Sequence, residues 1–378
     1  MGERPDPSVD RRFMALALTL GRRGLGQTWP NPAVGALVVR QGPDGPVVVG
    51  RGWTAPGGRP HAETEALKHA GAAAAGATLY VTLEPCSHHG KTPPCVDAIV
   101  AAGITRVVSA LEDPNPEVAG EGHARLRAAG VAVDIGLGAD EARRAHDGHI
   151  RRIRDGRPHI LLKLAVSSDG KAGLAGRKPA DITGRTARHR AHMLRAASDA
   201  MLIGIGTALA DNPLLTCRLP GMAGRSPVRV VLDRSLRLPL GSRLVTTAGT
   251  SPLWVIGSVA APPEREEALR NAGVEVLRVE EAGDRLGLAA VLRALVWRGI
   301  TRLMVEGGPI VAAAFVAAGL PDEVALFRRA YPIGADGIDA LEGLPLTAVT
   351  QSPHLRSCGI EPVGEDTLEM FERCSPGS

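Results

Sequence analysis

The chain has 378 residues, of which 44% are hydrophobic, and its formal net charge is +4. This length and hydrophobic content predict two globular domains rather than one. No run of about eighteen apolar residues could span a membrane, and the polar start Met1–Asp10 has no signal-peptide core, so we expect a cytoplasmic protein. Aromatic residues make up only 3%, too few for base stacking, so the positive charge favours a phosphorylated small molecule over nucleic acid as the partner.

Strand and helix patterns alternate through the first part of the chain. Strands are predicted at 33–39, 47–52, 77–83, 105–111 and 131–135, and helices at 60–75, 94–102 and 121–129. Pro60 suits a helix start, which would place His61 and Glu63 in the first turn. This order of elements predicts an α/β fold with an α/β/α layered arrangement around a mixed sheet.

A charged stretch from about 140 to 158 predicts a helix followed by a linker, and we place the domain boundary after residue 150. A second α/β domain is predicted over 151–378. Its strands are predicted at 160–166, 200–204, 228–233, 253–257, 274–279 and 301–305, and its helices at 185–197, 263–272 and 288–298.

One constellation in the first domain predicts a zinc centre. His61-Ala62-Glu63 is followed by Cys86 and Cys95, in the order of the H-x-E and P-C-x-x-C signature of zinc deaminases that act on nitrogen heterocycles. His61, Cys86 and Cys95 are the predicted metal ligands, which would leave the fourth position of one Zn²⁺ open. Glu63 is the predicted catalytic residue, a carboxyl that shuttles protons.

Two other interpretations of these residues stay open. The cysteines could form a closed structural zinc site with His88 or His89, although that would leave His61 and Glu63 without a role. An H-x-E sequence at a helix start is also a common solvated surface feature when it stands alone. The joint pattern favours the deaminase.

The segments 31–35, 82–95 and 112–120 closely resemble the deaminase domain of the bifunctional riboflavin-biosynthesis deaminase/reductase family, including the eight residues between Cys86 and Cys95. The resemblance implies deamination of 2,5-diamino-6-ribosylamino-4(3H)-pyrimidinone 5′-phosphate at C2. It also implies a set of residues that contact the pyrimidine or the ribose phosphate: Asn31, His88, Lys91, Asp113 and Asn115. Lys91 could instead be a solvated loop lysine, and Asn115, between two prolines, could serve turn formation.

The second half resembles the reductase domain of the same family, which is similar in fold to dihydrofolate reductase and uses NADPH. Matching segments include 163–165, 168–171, 182–184, 194–196, 211–216, 229–233 and 305–309. By this resemblance the substrate-binding residues are Arg195, Leu215, Arg218 and Glu306, and the cofactor-binding residues are Ala165, Thr207, Asp211, Gly307 and Gly308. The implied reaction is hydride transfer that opens a ribosylamine to a ribitylamine.

Several positions of the second half depart from the family. Arg177-Lys178-Pro179 and Asp181 stand where the family has Gly-Glu-Ser and a Trp, and Arg234 stands where it has a Ser. A deaminase whose reductase half is silent or takes another substrate, for example in a specialised pyrimidine or pterin pathway, is therefore the alternative prediction. A nucleic-acid deaminase is disfavoured by the few aromatic residues. We expect a homo-oligomer.

Overall fold

The chain divides into two units, Met1–Arg157 and Pro158–Ser378, in a computed structural model that describes residues 7–90, 93–174 and 182–374. The division lies beyond the boundary placed at residue 150, because the charged stretch forms one helix, Ala139–Asp155, that continues past that point. Within the described ranges no helix combines the length and apolar character needed to cross a bilayer.

The first unit contains a mixed five-stranded sheet in the order β2-β1-β3-β4-β5. Its strands are β1 (Gly35–Gly42), β2 (Gly45–Trp53), β3 (Thr78–Val81), β4 (Arg106–Ser109) and β5 (Ala132–Ile135). Its helices are α1 (Pro7–Gly21), α2 (Ala62–Ala70), α3 (Cys95–Ala101), α4 (Glu121–Ala128) and α5 (Ala139–Asp155). Strand β1 runs antiparallel to both neighbours, whereas β3, β4 and β5 are parallel.

Helices cover both faces of this sheet, which gives the layered arrangement predicted from the sequence. Helices α2, α3 and α4 bury Ala66, Ile99 and Leu126 against one face. Helices α1 and α5 bury Met14 and Ala142 against the other face. The carboxyl ends of the parallel strands and the starts of α2 and α3 are thereby held by a core on each side of the sheet.

Two glycines of β2 let α2 lie directly on the sheet. A Cβ atom at Gly52 would be 2.2 Å from the Ala62 carbonyl oxygen, and one at Gly50 would be 2.2 Å from that of Ala66. Any side chain at either position would push the helix away. The small residues therefore fix the position of the helix start that follows His61.

The second unit contains a nine-stranded sheet in the order β11-β10-β9-β8-β14-β6-β15-β18-β17. Its strands are β6 (His159–Val166), β8 (Ala200–Gly204), β9 (Val228–Leu232), β10 (Leu253–Ser258), β11 (Glu275–Val279), β14 (Arg302–Val305), β15 (Glu323–Arg328), β17 (Leu355–Val363) and β18 (Asp366–Arg373). Short strands outside it are β7 (Lys171–Gly173), β12 (Glu281–Ala282), β13 (Arg285–Leu286) and β16 (Ile338–Asp339). The seven strands from β11 to β15 in the sheet order are parallel to one another. Strand β18 runs antiparallel to both of its neighbours, β15 and β17.

Helices pack on this sheet around more than one apolar cluster. They are α6 (Arg185–Ala196), α7 (Ile205–Asp211), α8 (Arg243–Thr246), α9 (Pro263–Asn271), α10 (Leu288–Trp297), α11 (Pro309–Ala317) and α12 (Thr347–Thr350). One cluster joins α8 and α9 to the sheet through Leu244 and Leu269. Another joins α6 to the sheet through Ala187 and Phe327. The parallel strands place their carboxyl ends along one edge, where loops lead into α7 and α11.

The structure contains elements that the sequence patterns do not predict, among them α1, α7, α8 and α12 and the strands β15, β17 and β18. Strand β17 is exposed along nearly its whole length, so it lacks the apolar alternation that identifies a half-buried strand. Helix α2 ends at Ala70 rather than near residue 75, because a 3₁₀ turn, Gly71–Ala74, follows it. His61 is the residue that caps α2, one position before the predicted first turn.

Candidate active sites

Three predicted ligands come together in the first unit. The Nδ1 atom of His61 lies 3.6 Å from the Cys86 Sγ and 3.3 Å from the Cys95 Sγ, and the three ligand atoms lie within 4.8 Å of one another. His61 precedes α2, Cys86 lies in the loop after β3, and Cys95 is the first residue of α3. The sheet therefore brings two helix starts and one loop to a single point.

This donor set fits a zinc ion. Nitrogen and sulfur ligands at 2.0–2.3 Å from a tetrahedral zinc are about 3.5 Å apart, which matches the distances around His61. The backbone N–H of Cys95 donates to the Cys86 Sγ at 3.3 Å. Hydrogen bonds from Cys95 and His61 lower the pKa of Cys86 to about 4, although burial opposes this, so a thiolate ligand is present at neutral pH.

The imidazole of the cluster is His61, whereas His88 and His89 are exposed. Among the described residues the closed site with His88 or His89 is therefore not formed. Three protein ligands leave a position for a reacting group, which is the arrangement of catalytic rather than structural zinc sites.

Glu63 is buried beside these ligands, with 3% of its surface exposed. Burial raises the pKa of its carboxyl to about 7, although the nearby His61 lowers it. A carboxyl with a pKa near neutrality both accepts and donates protons readily. The geometry thus places a proton carrier next to the metal ligands.

A buried carboxylate that the sequence analysis missed connects the metal-ligand loop to a second loop. The Glu84 Oε2 accepts hydrogen bonds from the backbone N–H groups of Asp113 and Gly120, both at 2.9 Å. Its Oε1 accepts those of Gly122 at 2.8 Å and His123 at 3.3 Å. Glu84 precedes the zinc ligand Cys86 by two residues. Its hydrogen bond from the Asp113 N–H therefore connects the loop that carries Asp113 to the loop that carries Cys86. An acidic residue inside an otherwise apolar strand end is the signal that could have identified it.

The predicted substrate-binding residues of the first unit differ in their surroundings. Asn31 donates from Nδ2 to the Gly58 carbonyl at 2.8 Å, in the turn just before His61. The Asn115 side chain accepts the Glu117 N–H at 3.1 Å, so it does serve turn formation, the alternative weighed above. His88 is exposed. Lys91 lies outside the described residues.

A cavity of about 820 Å³ lies at the carboxyl edge of the large sheet in the second unit. The predicted residues that line it are Ala165, Arg195, Thr207, Asp211, Arg218, Glu306, Gly307 and Gly308. Leu215 is not among the lining residues. It is buried in the core around α8 with φ 57°, so its predicted contact with substrate stays a prediction.

Glu306 is the centre of an ion-pair network in this cavity. Its Oε1 lies 3.0 Å from the Lys163 Nζ, and its Oε2 accepts from the Arg195 Nε and Nη2 at 3.0 and 2.8 Å. Burial raises the pKa of Glu306, but the attraction of Lys163 and Arg195 outweighs it and lowers the pKa to about 2. Lys163 was missed as a site residue, although a lysine within the apolar strand β6 is a recognisable signal.

Further positively charged side chains lie near this network. Burial and the charges of Arg195 and Arg243 lower the pKa of Arg218, and burial with Arg195 and Arg218 lowers the pKa of His192 to about 4. His192 is therefore neutral at pH 7. Mutually repelling guanidinium groups in one cavity favour an anionic ligand.

Close glycine packing shapes the middle of the cavity. A Cβ atom at Gly308 would be 2.8 Å from the Thr207 Oγ1, and one at Gly307 would be 2.8 Å from the side chain of Val311. Gly308 precedes α11, whose start has no side-chain cap. The first helical residue, Pro309, has no N–H group, and the Val311 N–H donates to the Gly308 carbonyl at 3.0 Å.

The departures from the family fall in two places. Residues 177–181 lie outside the described residues. Arg234, in contrast, lines the cavity with Arg237 and Arg285, and the sequence analysis did not assign a role to any of the three.

Comparison with known proteins gives matches over nearly the whole chain. The family model described as "Cytidine and deoxycytidylate deaminase zinc-binding region" matches residues 7–111, and "RibD C-terminal domain" matches residues 158–368. "Riboflavin biosynthesis protein RibD" of Aquifex aeolicus is 40% identical over 365 residues, covering 97% of this chain and 99% of the relative. The Escherichia coli protein of the same name is 40% identical over 370 residues, with 94% and 97% covered.

Solved structures are similar over the same length. Form 1 of Acinetobacter baumannii RibD has a TM-score of 0.86 and 33% identity, covering 98% of this chain and 100% of that one. A diaminohydroxyphosphoribosylaminopyrimidine deaminase/5-amino-6-(5-phosphoribosylamino)uracil reductase from Thermotoga maritima has a TM-score of 0.83 and 34% identity, covering 97% and 99%.

Proposed function

The chain belongs to the RibD family of bifunctional riboflavin-biosynthesis deaminase/reductases, and from this premise we propose how its own residues carry out the two reactions. The enzyme deaminates 2,5-diamino-6-ribosylamino-4(3H)-pyrimidinone 5′-phosphate with zinc and reduces the ribosyl group to a ribityl chain with NADPH. Its folds are a cytidine-deaminase-like domain and a dihydrofolate-reductase-like domain. A silent or altered reductase half is not favoured, because relatives with this name match both halves.

We assign deamination to the first unit, and the grouping of His61, Cys86 and Cys95 is the observation that carries the assignment. When bound by these residues, zinc supplies a Lewis acid that makes hydroxide available near neutral pH. Glu63 takes the proton released from the attacking water and delivers protons to a ring nitrogen and to the departing amine. A C–O bond forms at C2, the C–N bond breaks, and ammonia leaves.

Substrate binding in this unit is assigned to Asn31, His88, Lys91, Asp113 and Asn115. Support comes from the hydrogen bond of Asn31 to the Gly58 carbonyl, in the turn that precedes His61 along the chain, and from the bond that ties the Asp113 loop to Glu84. In this arrangement Asp113 and Asn31 orient the pyrimidine, so that C2 faces Glu63. The ribose phosphate is then held by the exposed loop that contains His88.

We assign reduction to the cavity of the second unit. NADPH supplies the hydride when it is bound there. Glu306, held by Lys163 and Arg195, accepts hydrogen bonds from the pyrimidine, and Arg218 binds the substrate phosphate. The hydride goes to C1′ as the bond between C1′ and the ring oxygen of the ribose breaks, and this oxygen takes up a proton from solvent water to become a hydroxyl group. Ala165, Thr207, Asp211, Gly307 and Gly308 are the proposed cofactor contacts, and Leu215 remains a proposed substrate contact.

The function of Glu63 is tested by Glu63→Gln. This variant keeps the shape of the side chain but cannot carry a proton, so ammonia release should fall by at least a factor of about 100 while zinc stays stoichiometric. Ammonia is measured on the purified protein and zinc by atomic emission. Glu141→Gln, on the exposed surface of α5, is the matched control and should retain full activity. Normal turnover by Glu63→Gln would contradict the assignment.

A homo-oligomer in the cytoplasm is our proposal for the working form. It is supported by the exposed strand β17 at the edge of the large sheet, since open edges pair readily with a second copy. Zinc-binding thiols and NADPH chemistry suit a reducing compartment. Light scattering of the purified enzyme measures the oligomeric state, and a monomer would refute this part.

A further inference from the structure

The cavity of the second unit contains a histidine that the assigned reaction does not use. His192 lies in α6 and lines the cavity, with 7% of its surface exposed. Residues at i and i+3 are neighbours on one face of an α-helix, and Arg195, three positions further along α6, lines the same cavity. A buried imidazole at the wall of a substrate cavity is a candidate hydrogen-bond partner for the substrate.

A hydrogen bond to one ring nitrogen determines which tautomer His192 adopts. The backbone N–H of Arg218 donates to the His192 Nδ1 at 3.4 Å. Burial and the charges of Arg195 and Arg218 lower the pKa of His192 to about 4, so the imidazole is neutral at pH 7. Since Nδ1 is the acceptor, the single ring proton is on Nε2. Within residues 7–90, 93–174 and 182–374 this Nε2–H group has no acceptor, so it is available to a ligand.

His192 lies between the groups assigned to the two ends of the substrate. Its Nδ1 accepts from the backbone of Arg218, the residue assigned to the phosphate. Its ring is also close enough to Arg195 and Glu306, in the network assigned to the pyrimidine, for their charges to shift its pKa. In a ribosylamine phosphate the ribose connects the pyrimidine amine to the phosphate. A substrate that spans these two sets of groups therefore places its ribose beside His192.

The assigned reaction develops charge at the ribose. As the hydride reaches C1′, the bond from C1′ to the ring oxygen breaks, and negative charge builds up on that oxygen. A fixed N–H group aimed at this atom stabilises the transition state more than the bound substrate, because the charge is larger in the transition state. Lys163 and Arg195 already pair with Glu306, whereas the His192 Nε2–H is free to take this role.

We propose that His192 is a further catalytic residue of the reduction, whose Nε2–H donates a hydrogen bond to the ring oxygen of the ribose as the bond from this oxygen to C1′ breaks. The imidazole keeps its proton throughout, and the ring oxygen takes its proton from solvent water while NADPH supplies the hydride. The proposal rests on the reductase function assigned to this cavity. It differs from a purely structural role, in which His192 would only hold Arg218 in place through Nδ1.

Two substitutions separate the roles of the two ring nitrogens. His192→Asn keeps an acceptor near the position of Nδ1 but has no donor at that of Nε2, whereas His192→Gln brings an amide N–H close to the position of Nε2. The assay uses the full-length protein, NADPH and the deaminated ribosylaminopyrimidine phosphate. His192→Asn should lower kcat by a factor of about 100 and change KM by less than about threefold. His192→Gln should recover at least about a factor of ten of the lost kcat.

An isotope effect provides a readout that a structural role would not change. With NADPH deuterated at the transferred position, the isotope effect on kcat should increase in His192→Asn, because hydride transfer becomes slower relative to product release. His189→Asn is the matched control, since it makes the same substitution one turn earlier in α6, at an exposed residue outside the cavity lining. It should leave kcat and the isotope effect unchanged. Every variant should retain the Kd for NADPH and the rate of ammonia release, which report correct folding of each unit.

The possible failures are distinguishable. A normal kcat in His192→Asn, or a rise in KM alone, would overturn the catalytic role of His192 and leave the reductase function intact. A folded His192→Gln enzyme with no more activity than His192→Asn would also count against the Nε2 donor. An unaltered enzyme that binds NADPH but does not oxidise it with this substrate would overturn the assigned reductase function, and this proposal with it.

Discussion

Three acidic side chains show how single residues hold charge inside this protein. Glu84, which is buried, accepts hydrogen bonds from four backbone N–H groups, and Glu306, which is partly buried, forms ion pairs with Lys163 and Arg195. Asp10, which is buried, forms an ion pair with Arg106 and accepts a hydrogen bond from the Tyr80 hydroxyl. Because a buried charge is costly without partners, each carboxylate specifies which groups must surround it. Two of the three lie at proposed active sites.

We expect Glu84 to act as a positioning residue for deamination. Glu84→Gln replaces an acceptor oxygen with a donor, so two of the four backbone N–H groups lose their acceptor and the loop of Asp113 shifts. The KM of deamination should rise about tenfold or more, while zinc content stays stoichiometric. Steady-state kinetics of ammonia release measure this effect.

Glu112→Gln provides the control for this variant. A carboxylate oxygen of Glu112 lies within 4.8 Å of side-chain atoms of Glu84 and His123, but Glu112 is exposed, so its loss should change KM by less than about twofold. An unaltered KM in Glu84→Gln would show that the hydrogen bonds of Glu84 do not set the geometry of the substrate loop.

At the scale of elements, helix starts and strand ends place the chemistry. Helix α2 packs closely on β2 because β2 has glycines at the contact. Helix α3 begins with Cys95, and α11 begins after Gly308. Helix α1 has a different role, because it covers a face of the first sheet and is attached through Asp10 to β4. Arg106 of β4 lies 2.7 Å from Asp10 and also 2.7 Å from Asp134 of β5.

Removing the Asp10 charge should loosen α1. Asp10→Asn leaves Arg106 with one carboxylate and should lower the free energy of unfolding by about 1–3 kcal/mol at pH 7. Burial raises the pKa of Asp10, but hydrogen bonds from Arg106 and Tyr80 outweigh it and hold the pKa below its usual value. Below about pH 4 the unfolded state takes up the proton more readily, so the difference between the two proteins should shrink.

Urea denaturation at pH 7 and near pH 3.5 measures this dependence, since effects common to both proteins cancel in the comparison. Asp140→Asn is the control, because its pair with Arg143 is exposed, at 81% for Asp140, and contributes less than about 1 kcal/mol. A difference for Asp10→Asn that stays constant over this pH range would contradict the assigned role of the carboxylate.

At the scale of the whole molecule, each unit contains the described groups that we assign to one reaction. The predicted zinc ligands all lie in Met1–Arg157, and the cavity with its ion-pair network lies in Pro158–Ser378. The five-stranded sheet supports the first set, and the carboxyl edge of the nine-stranded sheet supports the second. The two reactions therefore depend on separate cores.

Removal of zinc should separate the two functions. Treatment with a strong chelator should abolish ammonia release and lower the unfolding temperature of the first unit, because metal binding contributes to its stability. The Kd for NADPH, measured by fluorescence, should change by less than about twofold. Restored ammonia release after zinc is added back is the control, and a large parallel loss of NADPH affinity would contradict the independence of the cores.

Features that local patterns encode are predictable from the sequence. His61, Glu63, Cys86 and Cys95 are recognisable because their types and order match one chemistry, and the buried strands are recognisable from their apolar runs. The family resemblance added residues such as Glu306, which lines the cavity of the second unit and whose contact with substrate stays a prediction. The helix-start positions of His61 and Cys95 also follow from nearby prolines.

The contacts between distant segments, in contrast, depend on the order of the strands in each sheet. Glu84 meets the backbone of residues 113–123, Lys163 and Arg195 meet Glu306, and Arg234 meets the cavity because sheet order brings separate strand ends together. The exposed strand β17 likewise depends on its pairing with β18. Local propensity reports the conformation of a segment, whereas the neighbours of its side chains depend on the order in which strands pair.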